Sequence, residues 1–412
     1  MSSSGGGLAQ LVAYGAQDVY LTGKPQQSIW RQKYMRNTNC AIESIQQTLA
    51  GDVNYGSSAT ATLSRSGDLI CGLMAQVTLT RGTGNAYYPA EALFKNIELK
   101  IGGQQIDYLY SNWNRAYTQL YYDAKQLQSY QDAVDFGNEV QGQQRTFFFP
   151  IPLFFSNVNT QLALPLIALQ YHEVELKFDF ASASEMNGVD TSIPPVVKLY
   201  ADYVFLDSPE RIWFAQNPHE YLITQLQYQS MGIQFSNSAI LRYSIPLNFN
   251  HPTKMITWVT TQPGYPGQFT ALGGETDDNT AAPIYSAVLQ LNGRERFSER
   301  PGKYFKNAQP WLAQNGNFTS SGIYSYHFGM NNTLNVNTTY TSGTLNFSRI
   351  DNATLVIKTK QANLPFPVPP GTFTTEAQTY EITANINAVE VYALNYNILR
   401  VMSGMAGLAY AN

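Results

Sequence analysis

The sequence predicts an all-β chain: two tandem eight-stranded sandwiches, with a short helical insertion in the first. Three observations predict it. Runs of β-branched and aromatic residues recur along the chain and are cut by Gly, Pro, Asn and Asp turns. Helical spacing is confined to one main stretch. The strand pattern occurs twice, about 190 residues apart. In chain order, strands are expected at residues 69–80, 97–101, 146–155, 174–180 and 196–206, then at 255–261, 287–291, 353–359 and 382–394. The cleanest is Val174-Glu175-Leu176-Lys177-Phe178-Asp179-Phe180, which alternates apolar with polar and so buries one face. The helix is expected over residues 113–134. There Trp113, Ala116, Tyr117, Leu120 and Tyr121 share one face, and a shorter helix starts near Pro209.

The repeat rests on three matches in the same order. Leu99 to Asp107 reads like Leu289 to Phe297, each a strand running into a Gly turn. Leu199 to Arg211 reads like Ala388 to Arg400, and Leu166 to Phe178 like Leu345 to Ile357. Each unit then holds about eight strands, which is jelly-roll arithmetic. The expected division is an arm at residues 1–30, a first jelly roll at 31–210, a linker at 211–225 and a second jelly roll at 226–412. Ser208-Pro209 and Asn217-Pro218 supply the turn and helix-start signals at that boundary. Two Pro- and Gly-rich loops stand out in the second unit, at 262–283 and 361–378.

Composition narrows the function. Charged residues are 13%, about half the usual share, while aromatics are also 13%, with 28 Tyr and 21 Phe. Hydrophobic residues at 44% exclude global disorder. The balance of 25 Lys+Arg against 29 Asp+Glu leaves no basic excess for coating nucleic acid. Cys40 and Cys71 read as two reduced, buried, core-filling thiols. The N-terminus MSSSGGG lacks the basic and apolar regions of a secretory signal. No stretch approaches 18 uninterrupted apolar residues, so no membrane-spanning segment is expected.

Catalytic chemistry is mostly missing from the pattern. His172, His219, His251 and His327 lack metal-ligand spacing and read as structural polar groups. There is no nucleophile elbow and no phosphate-cradling loop. Glu173 and Glu175 share a strand face, but they read as a solvated face rather than a glycosidase pair. The acidic loop around Glu275, Asp277 and Asp278 lacks the spacing of a calcium loop. No basic cluster interleaved with aromatics is read as a nucleic-acid platform. The expectation is therefore no enzyme, no catalytic residue, no cofactor and no metal. Five Asn-x-Ser/Thr sequons, Asn317, Asn331, Asn337, Asn346 and Asn352, are the glycosylation acceptors to place. Asn331 to Asn346 are expected at the end of the second unit opposite its long loops, with Asn317 better exposed.

The N-terminal segment carries a family resemblance. Leu11-Val-Ala-Tyr-Gly-Ala-Gln-Asp18-Val-Tyr-Leu-Thr-Gly23 with Lys24-Pro25 resembles the opening of major capsid proteins of nucleocytoplasmic large DNA viruses, the algal-virus group especially. Asn39 to Thr48, Ser66-Gly-Asp-Leu69, Ile101 to Asp107 and Leu291 to Arg300 with Tyr304-Phe305 continue the likeness. Residues 26–30 depart from the commoner continuation, which touches the arm and not the fold. The resemblance implies a double jelly roll. It also implies a homotrimer forming a pseudo-hexagonal capsomer, many of which tile the icosahedral shell of a double-stranded DNA virus. Minor capsid proteins would meet the inner face and the arm. An internal viral membrane would lie nearby but not be spanned, and assembly would take place in the host cytoplasm. The loops at 262–283 and 361–378 would face outward. The apolar run at 147–155 and the helix from Trp113 to Tyr122 are expected in the core or at subunit contacts. The rival class is a monomeric carbohydrate-binding or carbohydrate-cleaving sandwich.

Overall fold

Alternating side chains fix the strands of residues 40–206. The computed structural model describes residues 5–83, 88–122, 124–137, 140–156, 160–233, 240–261, 284–313, 322–329, 341–359 and 387–410. Eight principal strands build the first sandwich: β1 Cys40–Gln47, β2 Ser58–Thr62, β3 Leu69–Thr80, β4 Phe94–Ile101, β5 Gln104–Tyr110, β6 Gln144–Pro150, β7 Val174–Phe180 and β8 Val196–Leu206. One sheet runs β1-β8-β3-β6 and the other β2-β7-β4-β5. In β2 and β7 every second residue is buried, as a strand with one covered face requires. The inner faces meet at Phe94, whose ring lies 5.5 Å from Phe149 of the opposite sheet and 5.6 Å from Phe178.

The second sandwich repeats this order strand for strand. Its members are β9 His219–Ile233, β10 Leu241–Pro246, β11 Pro252–Thr261, β12 Ile284–Leu291, β13 Arg294–Glu295, β14 Ile323–His327, β15 Ala353–Thr359 and β16 Asn387–Met402. The sheets run β9-β16-β11-β14 and β10-β15-β12-β13. Every strand thus corresponds to the one eight places earlier, so the chain is a double jelly roll. Trp258 centres the second core, fully buried with Phe305 at 5.2 Å and Tyr324 stacked at 6.1 Å.

The repeat is local as well as topological. The β4–β5 turn places Gly102 and Gly103 at φ +59° and +79°, and the β12–β13 turn places Asn292 and Gly293 at +49° and +76°. Two positive φ values at a two-residue hairpin are the I′ geometry, which matches strand twist and favours Asn-Gly and Gly-Gly. Gly102 has a second constraint, since a Cβ there would lie 2.3 Å from His172 Nδ1. Gly102→Ala is expected to destabilise by about 1–3 kcal/mol, whereas Asn292→Gly should change little. Urea midpoints of the two variants check this. The third match holds over β7 and β15 and slips by two residues before them, where Leu345 corresponds to Leu164: a short strand, a 3₁₀ turn and a long strand follow one another at Leu164–Pro165, Leu166–Ala168 and β7, and again at Leu345–Asn346, Phe347–Arg349 and β15. The likeness stops at Arg211 and Arg400. Arg211 sits in a helix after β8 has ended, while Arg400 is still paired within β16.

Five sequence expectations need correction. The linker at 211–225 is absent: helix Ser208–Gln216 begins under an Asp207 cap, and β9 starts at His219, pairing over its full length with β16. Pro218 only sets the entry to that strand, because Ile223 and Leu226 are core residues. The N-terminal arm is longer than expected. Residues up to Asn39 form one unit and Cys40–Asn412 the other. The apolar run splits, with β6 ending at Pro150 because Pro152 lacks a ladder donor. Ile151, Leu153, Phe154 and Phe155 nevertheless fill the core, and Phe148 alone of the phenylalanines there is exposed. Cys40 is exposed on the edge strand β1 and Cys71 is half-buried; both are free. The helical stretch is two helices, Ser111–Tyr121 and Ala124–Val134.

Candidate assembly surfaces

Three surfaces stand out in the fold, one holding the two rolls together and two left open to the outside. The first is the seam between the two jelly rolls. Helix Ser111–Tyr121 leaves β5 and turns its aromatic stripe toward the second roll. The Trp113 ring lies 5.4 Å from Tyr392 of β16, and Tyr110 stacks on Tyr228 of β9 at 4.2 Å. Tyr121 Oη donates to Met255 Sδ at 2.7 Å. The seam is apolar in body but contains polar groups. Asp107 Oδ1 accepts the amides of Tyr108 at 2.9 Å and Leu226 at 3.1 Å, so one carboxyl ties β5 to β9. Gln225 donates to the Ile106 carbonyl and accepts from Asn397 Nδ2 at 2.8 Å. Asn112 donates to Glu390 at 2.9 Å, and Tyr392 donates to the same oxygen at 2.6 Å.

Burial sets the ionisation of these groups. Desolvation pushes the Asp107 carboxyl up to about 7, against the two amides that favour its charged form. Glu91, beneath the Ser111–Tyr121 helix, also rises to about 7 through burial, with Arg115 and the Tyr130 hydroxyl pulling the other way. Lys254 occupies the bulge where β11 meets β16, near the faces of Tyr121 and Tyr396 at 6.0 and 5.8 Å. Burial lowers it to about 8, and burial together with Lys254 lowers His327 to about 3. None of the four histidines is exposed. His172 accepts the Ala406 amide at 3.1 Å, His219 bonds the Phe214 carbonyl at 2.8 Å, and His251 and His327 are buried. Glu173 and Glu175 are exposed, as a solvated face requires. Among the described residues, no group of three His, Cys, Asp or Glu could hold a metal ion. No described helix is long and apolar enough to cross a membrane. Residues 275–279 lie outside the described residues.

The second surface is one end of the molecule. Strand β8 finishes there, helix Ser208–Gln216 follows, and Ile212 and Trp213 on it are exposed. The Met402–Met405 turn is at the same end, where the Gly404 carbonyl accepts the amide of the exposed Tyr171 at 2.9 Å. Asn346 and Asn352 also lie at this end: Asn346 pairs with Pro252 at the start of β11, and Asn352 abuts the β12–β13 turn. Both are exposed. Thr261, Ile284 and Thr359 mark the opposite end, from which residues 262–283 and 360–386 continue. Asn346 thus lies beside Pro252, at the end of β11 away from Thr261. Asn317, Asn331 and Asn337 lie outside the described residues, as do the loops at 262–283 and 361–378.

The third surface is the arm, whose character the sequence reading missed. Helix Gly5–Val12 buries nothing, and every large apolar side chain from Leu8 to Met35 is exposed. The stretch Ile29-Trp30-Arg31-Gln32-Lys33-Tyr34-Met35-Arg36 is a basic cluster interleaved with aromatics, contrary to the expectation that none exists. Whole-chain charge balance concealed it, because the acids elsewhere outnumber these cations.

Two family descriptions divide the chain between them. Residues 28–207 match "Major capsid protein N-terminus", and residues 210–407 match "Large eukaryotic DNA virus major capsid protein". The chain belongs to the major capsid proteins of large eukaryotic DNA viruses. The division falls at the start of helix Ser208–Gln216, between the two rolls. The major capsid protein of Paramecium bursaria Chlorella virus 1 is 44% identical over 99% of this chain and 100% of its own length. That of Pyramimonas orientalis virus is 37% identical over the same shares. The crystal structure of PBCV-1 VP54 superposes with a TM-score of 0.84 at 40% identity, covering 93% of this chain and 100% of VP54. The Faustovirus major capsid protein, at 11% identity, shares the fold with a TM-score of 0.71 over 94% of each chain. This capsid protein is a structural component of the virion and not an enzyme, as its family is non-enzymatic.

Proposed function

We propose that three copies of this capsid protein form a homotrimer, a pseudo-hexagonal capsomer that tiles the icosahedral shell of a large double-stranded DNA virus. The observation that carries this is the identical strand order of the two rolls. A trimer has threefold symmetry, whereas hexagonal packing needs six similar edges. Two copies of one sandwich in a single chain supply them, and lateral contacts then extend the lattice. The low charge supports the same reading, because interface cores are depleted in charged residues. Minor capsid proteins meet the inner face and the arm, the internal membrane lies nearby without being spanned, and assembly occurs in the host cytoplasm. Asn346 and Asn352, with Asn317, Asn331 and Asn337, are the proposed glycan acceptors, to be checked by a glycopeptide map. Light scattering after size exclusion should give three times the 45.9 kDa chain mass; a stable monomer at assembly concentrations would sink the reading. Removal of residues 1–30 should leave the trimer intact and stop shell assembly, as seen by electron microscopy of assembly reactions.

A further inference from the structure

The arm and the remainder of the chain carry opposite charge. Up to Asn39 the cations are Lys24, Arg31, Lys33 and Arg36 against the single acid Asp18, a net of +3. The whole chain is −4, so the remainder is −7. All four cations are exposed. Between them the apolar side chains are almost fully in water: Trp30 is 88% exposed, Ile29 83%, Tyr34 73% and Met35 98%. Leu8, Leu11 and Val12 form one exposed face of helix Gly5–Val12, and Tyr20 and Leu21 are exposed beyond it. Leaving this much apolar surface in water is costly, so the segment needs a covering medium.

We propose that residues 24–36 are a membrane-surface anchor that binds anionic phospholipid headgroups. Amphipathic Trp and Tyr rings settle at the boundary between headgroups and acyl chains. Neighbouring Lys and Arg are drawn to anionic lipid and keep their heads in water while their stems lie along the apolar layer. Ile29, Met35 and Leu21 favour lipid over nucleic acid, since aliphatic side chains gain nothing from phosphates and have no face on which a base stacks. The segment lies on the surface and does not span it. Neither the trimer nor the family's activity is needed for this inference, so the two stand or fall separately.

The test uses the full-length protein with extruded vesicles, floated on a density gradient. One set is phosphatidylcholine alone and the other contains about one third phosphatidylserine. Binding to the anionic vesicles should be about tenfold tighter or more and should weaken steeply with added salt. The triple variant Arg31→Gln, Lys33→Gln, Arg36→Gln should lose about tenfold or more of that binding. The double variant Ile29→Ala, Trp30→Ala should bind more weakly at low salt but keep the salt dependence. These side chains are exposed, so light scattering should show an unchanged assembly state for every variant. Equal binding to neutral and anionic vesicles, or no loss in the triple variant, overturns the proposal. So does tighter arm-dependent binding to a single-stranded oligonucleotide, or to immobilised copies of the protein itself, than to the vesicles.

Discussion

Trp113→Ala is expected to uncouple the two jelly rolls. The indole is buried at the seam, 5.4 Å from Tyr392 of the second roll and 6.2 Å from Tyr117 on its own helix. Truncating a buried tryptophan removes its transfer free energy and leaves a cavity that closes only in part, for a loss of about 3–5 kcal/mol. Where that loss falls matters more than its size. Each sandwich keeps its own interior contacts: Phe94 with Phe149 and Phe178 in one, Trp258 with Phe305 and Tyr324 in the other. The loss is therefore charged to docking, and calorimetry should show two transitions where the unmodified chain shows one. Trp258→Ala is the control. It costs a similar amount but weakens the interior of the second roll, so the second roll alone should melt earlier. A single transition, uniformly lowered in Trp113→Ala, would mean that the seam is not a separable element.

Much of this architecture is legible in the sequence, and the illegible part has a common cause. Val174 to Phe180 alternates because one face is covered, and the Gly102-Gly103 and Asn292-Gly293 turns announce the same hairpin twice. Strand β14 does not announce itself: all five of its residues are buried, so it has no alternation to read. Strand β1 fails in the opposite way, since it is an edge strand exposed at most positions. The seam is harder still. Gln225, Asn395 and Asn397 are all buried, yet amides are ordinary surface residues in any composition count. Only the pairing of β9 with β16, and the approach of β5 to β9, reveals that they are interior. This also supplies a physical reason for the unusual composition. Part of the polar load that other proteins carry as surface charge is here uncharged amide, placed inside the seam, where ions would cost far more to desolvate.

Asp107 is an exception to that economy, and it yields the last prediction. Its carboxyl titrates near 7 in the fold against an ordinary value near 4 in the unfolded chain. The folded protein therefore holds a proton that the unfolded chain releases between those values. Stability should fall as pH rises from about 4 to 7 and stay at the lower level above that, the reverse of the usual carboxylate behaviour. Glu91, also raised to about 7, adds to the same slope. The Tyr108 and Leu226 amides both donate to one oxygen, Oδ1, so asparagine retains the acceptor and loses only the charge. Asp107→Asn should accordingly stabilise the protein at pH 8 by up to about 4 kcal/mol and have little effect at pH 4. Asp107→Leu removes the acceptor, leaves two buried amides without it, and should destabilise at both pH values by about 1–3 kcal/mol per amide. Urea unfolding of the three proteins at the two pH values separates these effects. A loss of stability in Asp107→Asn at pH 8 would instead show that Asp107 is ionised in the fold, and that the two amides outweigh the cost of burying its charge.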